Sequence, residues 1–294
     1  MRKVKIYPLV FSLLLISFTT YVLFDTFLIS EVYEKVESSS SSNKENTIGE
    51  VNSTENSYED DNISIKLNTI ERYDTTIYIA DVVINDADYL KTAFANNAYG
   101  KNITATTSET AKNNKAILAI NGDYYGVQNS GYVLKNYKLY RNTPVYNKED
   151  LVIYGDGTFE IINESEVSAE ELVKKGAKEI LSFGPALISN GNIVVSQNDE
   201  VGKAMASNPR TAIGIIDKNH YVFVVSDGRT NESTGLSLYE LASVMKEYGV
   251  KTLYNLDGGG SSSMYFNGNL INKPTTNGRT IKEREVSDIV YIGY

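Results

Sequence analysis

The chain has no cysteine, no tryptophan and only one histidine among its 294 residues. The lack of cysteine excludes disulfides, thiol nucleophiles and thiolate metal sites, and a single histidine cannot build a multi-histidine zinc site. Chemistry must therefore come from carboxylates, hydroxyls, amides and arginine. The histidine, His220, follows Asp217 between two apolar runs, which predicts a position in a turn rather than a catalytic role.

Basic side chains are in the minority, with 28 Lys and Arg against 37 Asp and Glu and a formal net charge of -9. This balance argues against a nucleic-acid partner, because phosphate backbones are held by clustered Lys and Arg. Local basic sites for small anions remain compatible with it. The 22 tyrosines supply aromatic surface for stacking on a sugar ring.

Residues 1–30 predict an N-terminal membrane anchor or signal. Basic residues precede an apolar run over 6–24, which as a helix would span roughly 28 Å, close to the hydrocarbon thickness of a bilayer. The basic residues before this run, with Glu31 and Glu34 after it, predict a single-pass cell-membrane protein whose C-terminal domain is extracellular. A cleaved signal peptide, giving a secreted protein, is the alternative, although no small-x-small cleavage site follows the run. A buried core helix is disfavoured because the segment has no polar face.

Residues 31–62 have a different composition, with five consecutive serines at 38–42 and many Asn and Glu residues. Such a segment cannot bury a core and predicts a disordered tether. The folded domain is then predicted at 63–294, and we expect it to fold without residues 1–62. The absence of cysteine suits an exported bacterial protein.

The remaining sequence predicts an α+β domain with a mixed, largely antiparallel sheet and several hairpins. Turn dipeptides separate short apolar runs at three places, which are Asp156-Gly157, Asn190-Gly191 and Asn267-Gly268. A strand, helix, strand unit follows at 221–256, with Ser237 and Glu240 as a capping box. If both strands join one sheet they are parallel, so Asp227 and Asp257, which follow them, lie at one sheet edge.

Two loops carry these acids. Asp257 is followed by three glycines and a serine, whose backbone N–H groups and hydroxyl could form an anion-binding nest: Gly258, Gly259, Gly260 and Ser261. A flexible polar loop is the alternative. In the other loop Asp227 lies close to Arg229, which suits either a ligand site or a structural ion pair.

Two further segments are candidates for binding. Pro209 stiffens the approach to a strand that begins at Arg210, whose guanidinium could grip a phosphate or carboxylate, although a surface arginine is the ordinary alternative. After an apolar strand at 115–120, Asn121 and Asp123 could bind sugar hydroxyls and Tyr124 could stack on a ring. A tight turn with core aromatics explains these residues nearly as well.

Together, four segments resemble the phosphodiester glycosidase family, to which the animal enzyme that uncovers mannose 6-phosphate belongs. They are, in chain order, Asn-Gly-Asp-Tyr-Tyr at 121–125, Pro-Arg-Thr-Ala-Ile-Gly at 209–214, Asp-Gly-Arg at 227–229 and Asn-Leu-Asp-Gly-Gly-Gly-Ser at 255–261. The resemblance implies removal of a sugar, N-acetylglucosamine in the animal enzyme, from a sugar-1-phosphodiester. The cysteine-rich extensions of the animal enzyme are missing here.

The resemblance and the residues suggest an extracytoplasmic hydrolase of cell-envelope or exopolysaccharide metabolism, acting on a phosphodiester-linked glycan. Its transition state needs an acid near the anomeric carbon, Asp257 or Asp227, and cations for the departing phosphate, Arg210 with Arg229 or the glycine amides. No cofactor is certain, and a divalent cation such as Ca²⁺ or Mg²⁺ is compatible with the sequence but demanded by no ligand spacing. The alternative is a non-catalytic surface module that binds an anionic glycan, and a phosphoesterase that cuts the P–O bond ranks last.

Overall fold

The structure is a computed structural model that describes residues 6–36, 51–199 and 207–294. Four α-helices occur in these ranges: α1, Ile6–Phe27; α2, Thr107–Asn113; α3, Ala169–Lys174; and α4, Leu238–Glu247. Short 3₁₀ turns lie at Ala87–Tyr89, Ala95–Asn97, Tyr125–Val127 and Gly259–Ser261.

The strands, in chain order, are β1, Glu31–Lys35; β2, Asn52–Ser53; β3, Ser57–Glu59; β4, Ile63–Arg72; β5, Thr75–Ile84; β6, Leu90–Phe94; β7, Ala98–Lys101; β8, Leu118–Asn121; β9, Val133–Lys135; β10, Lys138–Arg141; β11, Glu149–Tyr154; β12, Phe159–Asn163; β13, Ala177–Leu181; β14, Ala186–Ser189; β15, Asn192–Ile193; β16, Arg210–Asp217; β17, His220–Ser226; β18, Thr252–Asn255; β19, Met264–Phe266; β20, Asn269–Leu270; and β21, Asp288–Ile292.

These strands form four sheets. The largest has nine strands in the order β15-β14-β18-β16-β17-β5-β4-β3-β2. Two five-stranded sheets have the orders β20-β19-β8-β21-β6 and β10-β9-β13-β11-β12, and β1 pairs with β7. All strand pairings in the described ranges are antiparallel. The predicted mixed, mainly antiparallel fold is therefore confirmed.

The strand, helix, strand unit is present as the sequence predicts. Strands β17 and β18 both pair antiparallel with β16, which lies between them, so β17 and β18 are parallel and end at the same sheet edge. In α4 the Ser237 hydroxyl accepts from the N–H of Glu240 at 3.1 Å and the Glu240 carboxylate accepts from the N–H of Ser237 at 2.8 Å. The apolar face of α4, led by Leu241 and Met245, packs against this nine-stranded sheet.

The predicted hairpins are also present, with β11 paired to β12, β14 to β15 and β19 to β20. One local expectation needs correction. His220 is the first residue of β17 rather than part of the turn, and its Nε2 lies 3.0 Å from Asp81 Oδ1. Pairing with β5 draws this residue into the sheet.

The range predicted as a disordered tether differs from the structure where it is described. Strand β1 pairs with β7, and β3 pairs with β4. The side chain of Tyr58 is buried in the main core, and its hydroxyl donates to Asp60 Oδ2 at 2.7 Å. Burial of the Tyr58 ring therefore helps to hold β3, which is otherwise polar, against β4. The serine run lies outside the described residues.

Helix α1 stands apart from the core. Its side chains are exposed from Ile6 to Phe24, and residues 6–26 are long and apolar enough to cross a membrane. A signal sequence has the same properties. The helix therefore fits either N-terminal alternative drawn from the sequence.

Candidate functional site

A cleft of about 860 Å³ opens at the edge where β18 ends and β16 begins. Arg210 is the first residue of β16, Asp257 follows β18 of the same nine-stranded sheet, and Asp123 follows β8 of a neighbouring sheet. Further lining residues that bear on the chemistry are Tyr124, Arg229, Gly258, Gly259, Ser261 and Arg284. Most of the predicted site residues therefore meet in one place.

Asp257 is fixed from two sides. Its backbone N–H donates to the carbonyl of Gly122 at 3.3 Å, and its own carbonyl accepts from Asn121 Nδ2 at 2.6 Å. Its carboxylate accepts from the Ser261 hydroxyl at 2.6 Å. Burial raises the pKa of Asp257, and the Ser261 hydrogen bond and the nearby Arg284 cation oppose that rise in part.

Asn121 was expected to bind substrate, but the structure places it behind the cleft. Its side chain is fully buried, and besides Asp257 it contacts Thr211 and Ser263. The Thr211 hydroxyl and the Ser263 N–H donate to its Oδ1 at 2.9 and 3.2 Å. Asn121 thus joins β8, β16 and the loop after β18, and it positions the catalytic candidate Asp257.

Asp123 and Tyr124 do line the cleft. The Asp123 carboxylate accepts from the backbone N–H groups of Tyr125 and Ser182, each at 3.0 Å. Tyr124 is 44% exposed, so its ring is available to a ligand. The cleft therefore contains a second carboxylate and an aromatic side chain beside Asp257.

A buried lysine supports Asp123 from behind. Lys135 Nζ lies 2.6 Å from Asp288 Oδ2 and 3.5 Å from Asp123 Oδ2. Burial lowers the pKa of Lys135, but attraction to Asp123 and Asp288 outweighs it and leaves the pKa above its usual value. Burial and then repulsion from Asp123 raise the pKa of Asp288 to about 7. The lysine therefore balances negative charge beneath the cleft.

Two predicted arginines lie on the cleft wall. Arg210 is buried, with its N–H bonded to the Ser226 hydroxyl at 2.9 Å and its Nε bonded to the carbonyl of Leu236 at 2.7 Å. Arg229 Nε and Nη2 donate to Asn208 Oδ1 at 3.1 and 3.0 Å. These contacts fix both guanidinium groups at the cleft wall.

Arg284 is a third arginine that sequence reasoning missed. Its Nε and Nη2 donate to the Ser261 hydroxyl at 2.9 and 2.6 Å, and Nη2 lies 3.5 Å from Asp257 Oδ2. Burial and then repulsion from Arg284 lower the pKa of Arg229. Arg284 lies in a run of charged residues at 282–285, which gives no local sign of its role.

The glycine loop differs from the predicted nest. The N–H of Gly259 donates to the carbonyl of Pro209 at 2.8 Å, and that of Ser261 donates to Gly258 at 3.3 Å. Gly259 has a φ of +61°, and a Cβ there would lie 2.8 Å from Arg229 Nη2. The loop therefore brings backbone close to an arginine, while Gly260 packs behind the cleft against Thr276. These amides are engaged within the protein, and Ser261 contributes its side chain.

Asp227 lies at the same sheet edge but does not line the cleft. Its carboxylate accepts from Tyr78 Oη at 3.1 Å, Asn272 Nδ2 at 3.3 Å and the N–H of Lys273 at 2.8 Å. Burial raises its pKa, and these hydrogen bonds oppose the rise. Of the two alternatives for Asp227 and Arg229, the ion pair is not formed, because Arg229 bonds to Asn208 instead.

The part of the chain that the structure describes contains no cluster of metal-ligating side chains. No group of three or more His, Cys, Asp or Glu side chains there is placed to hold an ion. The two cleft carboxylates are held by serine, arginine, lysine and backbone N–H donors.

Fold and cleft together define an α+β protein whose site combines paired acids with three arginines. The chain belongs to the phosphodiester glycosidase family, whose model matches residues 114–293. It is 30% identical over 203 residues to the SPbeta prophage-derived uncharacterized protein YomE of Bacillus subtilis, covering 67% of this chain and 31% of that protein.

Animal relatives match as well. Identity is 28% over 188 residues with the N-acetylglucosamine-1-phosphodiester alpha-N-acetylglucosaminidase of Mus musculus, covering 58% of this chain and 36% of that enzyme. The chain spans about a third of the length of these curated relatives. The zebrafish catalytic domain of that enzyme, solved in a form auto-inhibited by its pro-peptide, superposes with a TM-score of 0.62 at 22% identity, covering 79% of this chain and 83% of that one. This last likeness confirms the fold.

Proposed function

We propose that this protein is an extracytoplasmic hydrolase that cleaves a sugar from a sugar-1-phosphodiester. One observation carries the proposal: a single cleft brings Asp257 and Asp123 together with Arg210, Arg229 and Arg284. Carboxylates stabilise an oxocarbenium-like transition state, and guanidinium groups bind phosphate. Family membership and the name of the mouse relative support the same reaction class.

The chemistry places different residues at the two ends of the scissile bond. Asp257 acts on the anomeric carbon as base or nucleophile, and Ser261 and Arg284 help to keep it ionised despite burial. Water supplies the hydroxyl of the released sugar, the C1–O bond breaks, and the phosphate leaves with the bonding electrons. The arginines stabilise that charge, so little protonation of the leaving group is needed.

The relatives and the cleft suggest which sugar to test first. The mouse enzyme is named for N-acetylglucosamine, which makes that sugar the first substrate to test. Tyr124 offers an exposed ring beside Asp123 for stacking on it. A role in cell-envelope or exopolysaccharide metabolism is consistent with such a substrate.

We also propose that α1 is an uncleaved anchor and that the domain faces the outside of the cell. Its length and apolar composition support the proposal. Expression in a bacterial host followed by alkaline carbonate extraction tests it. An anchored chain stays in the membrane fraction with its N-terminus intact, whereas a cleaved chain appears in the soluble fraction with a new N-terminus.

Product analysis in ¹⁸O-water tests the activity. The full chain is incubated with a phosphodiester in which one phosphate joins C1 of N-acetylglucosamine to a simple alcohol. A glycosidase releases sugar labelled at C1 and an unlabelled phosphomonoester. Sugar-1-phosphate with label in the phosphate would mean P–O cleavage, and binding without turnover would mean a glycan-binding module.

A further inference from the structure

The junction between α1 and the folded domain is short and fixed. Only residues 28–30 separate the end of α1 from β1. Strand β1 is paired with β7 over Glu31–Lys35. Since a residue spans at most about 3.6 Å, the helix end lies close to the domain surface.

Hydrogen bonds fasten the helix end to that surface. Asn102 Nδ2 donates to the carbonyls of Thr26 at 3.1 Å and Ile29 at 3.0 Å. The Ser30 hydroxyl donates to the carbonyl of Asn102 at 2.8 Å. Lys101 Nζ lies 3.8 Å from Asp25 Oδ2. The last turn of α1 is therefore held against the loop that follows β7.

The same residues form one wall of the cleft. Leu28, Ser30 and Asn102 line it together with Asp257. The helix end and the carboxylate thus belong to one cavity. Residues 28–30, which join α1 to β1, are too few to let the cleft move away from the helix.

The surface beside this wall is apolar. Leu28, Ile29, Val32 and Tyr33 are 65%, 42%, 54% and 59% exposed. They continue the exposed apolar surface of α1 onto the rim of the cleft. Tyrosine and aliphatic side chains at the end of a spanning helix suit the boundary between headgroups and acyl chains.

We infer that the cleft opens at the membrane surface and that its substrate is a lipid-linked sugar-1-phosphodiester in the same membrane. The inference rests on the proposed hydrolase function and on the anchor. Water attacks C1, the C1–O bond breaks, the sugar leaves with a hydroxyl at C1, and the lipid phosphomonoester stays in the membrane. Sharing one surface raises the effective concentration of substrate at the cleft.

The first test compares two substrates with one headgroup. The full chain is reconstituted in phosphatidylcholine vesicles containing N-acetylglucosamine-1-phospho-polyprenol, and sugar release is compared with that from the methyl phosphodiester at equal bulk concentration. We expect the lipid to be cleaved at least ~10-fold faster, because both partners are confined to one surface. Placing the lipid in separate vesicles that lack the protein should abolish this advantage.

The second test measures position without using activity. Because the chain has no cysteine, single-cysteine variants can be labelled at one site. Val127→Cys reports on the cleft, and Val83→Cys is a matched control, since both valines are partly exposed. Val83 pairs with His220, the first residue of β17, whereas the cleft lies beyond the other end of that strand, at Ser226. The two ends of β17 are six residues, or about 20 Å, apart. Headgroup-level lipid quenchers should quench the Val127 label and spare the Val83 label.

The outcomes separate the two proposals. Equal cleavage of both substrates, or equal cleavage from shared and separate vesicles, overturns the lipid substrate while leaving the hydrolase function standing. Equal quenching at Val127 and Val83 overturns the membrane-facing cleft. Cleavage of neither substrate removes the hydrolase function, and the lipid substrate with it.

Discussion

Asp257 and Asp227 follow two parallel strands at one sheet edge, but their surroundings differ. Asp257 faces the cleft and bonds Ser261, while Asp227 is enclosed by Tyr78, Asn272 and Lys273. A carboxylate with open space before it is available to substrate. Asp227, which does not line the cleft and whose oxygens are all bonded within the protein, is placed to support the fold. The two acids therefore form a natural pair for comparison.

Asp257→Asn should lower kcat at least ~10²-fold, because it removes the charge of a base or nucleophile while keeping its shape. Asp227→Asn is the control. It should cost about 1–3 kcal/mol of unfolding free energy by weakening hydrogen bonds to a buried carboxylate, with kcat of the folded protein nearly unchanged. Steady-state kinetics and thermal melting check both. Normal turnover in folded Asp257→Asn would move the role to Asp123.

The raised pKa of Asp257 predicts how the rate depends on pH. Burial raises the pKa of Asp257 above its ordinary 3.8, and only the ionised form acts as base or nucleophile. The rate should therefore fall with decreasing pH at values above 3.8. Arg284 lowers this pKa, so Arg284→Met should move the acid limb of kcat/KM to higher pH and raise KM.

Arg279→Met is the matched control for that change. Arg279 is exposed in the same loop, five positions earlier, and does not line the cleft. It should leave both KM and the acid limb as in the parent protein. Identical effects of the two substitutions would show that overall charge, rather than contact with Ser261 and Asp257, explains the result.

At the scale of elements, α3 and α4, which each begin with a capping box, differ in what lies beside the cap. Ser237 caps α4 and Ser168 caps α3, each in a reciprocal box with a glutamate. Leu236, next to the first cap, accepts the Nε of Arg210 through its carbonyl. The start of α4 is thereby linked to the cleft, whereas α3 lies on a separate sheet.

Ser237→Ala and Ser168→Ala should each cost about 1 kcal/mol of unfolding free energy through loss of the cap. Only Ser237→Ala should also raise KM, by up to about fivefold, because it loosens Leu236 and hence Arg210. Urea unfolding and KM measurements check the pair. An equal KM for both variants would argue against the link from α4 to Arg210.

Short sequence patterns correctly predicted the hairpins and the helix α4, because a few neighbouring residues determine them. Turn dipeptides gave the hairpins, and the capping box gave α4. Long-range contacts have no such signal: nothing near Arg284 or Lys135 indicates that each meets an aspartate of the site. Asn121 was predicted to bind substrate, but its side chain is buried and makes hydrogen bonds to Thr211, Ser263 and the Asp257 carbonyl, which are long-range contacts that no local pattern indicates.

At the scale of the whole molecule, residues 51–60 are tied to distant parts of the chain. Tyr58 packs into the main core, and Tyr294 donates to Asp60 at 2.5 Å. Chains beginning at Val51 and at Asn62 should both fold cooperatively. The shorter one should be less stable by about 1.5–3 kcal/mol, because it lacks the burial of Tyr58. Calorimetry checks the difference, and equal melting temperatures would show that β2 and β3 add nothing.

Strands β5 and β6 lie before residue 114, where the family match begins, yet they complete the sheets that carry the site. Strand β5 pairs with seven residues of β17 in the interior of the nine-stranded sheet, and β6 covers β21. A protein cut at the start of the match would expose both of those edges as open templates for another chain. The segment that carries the family's signature therefore depends on upstream strands to keep these two sheet edges paired within the chain.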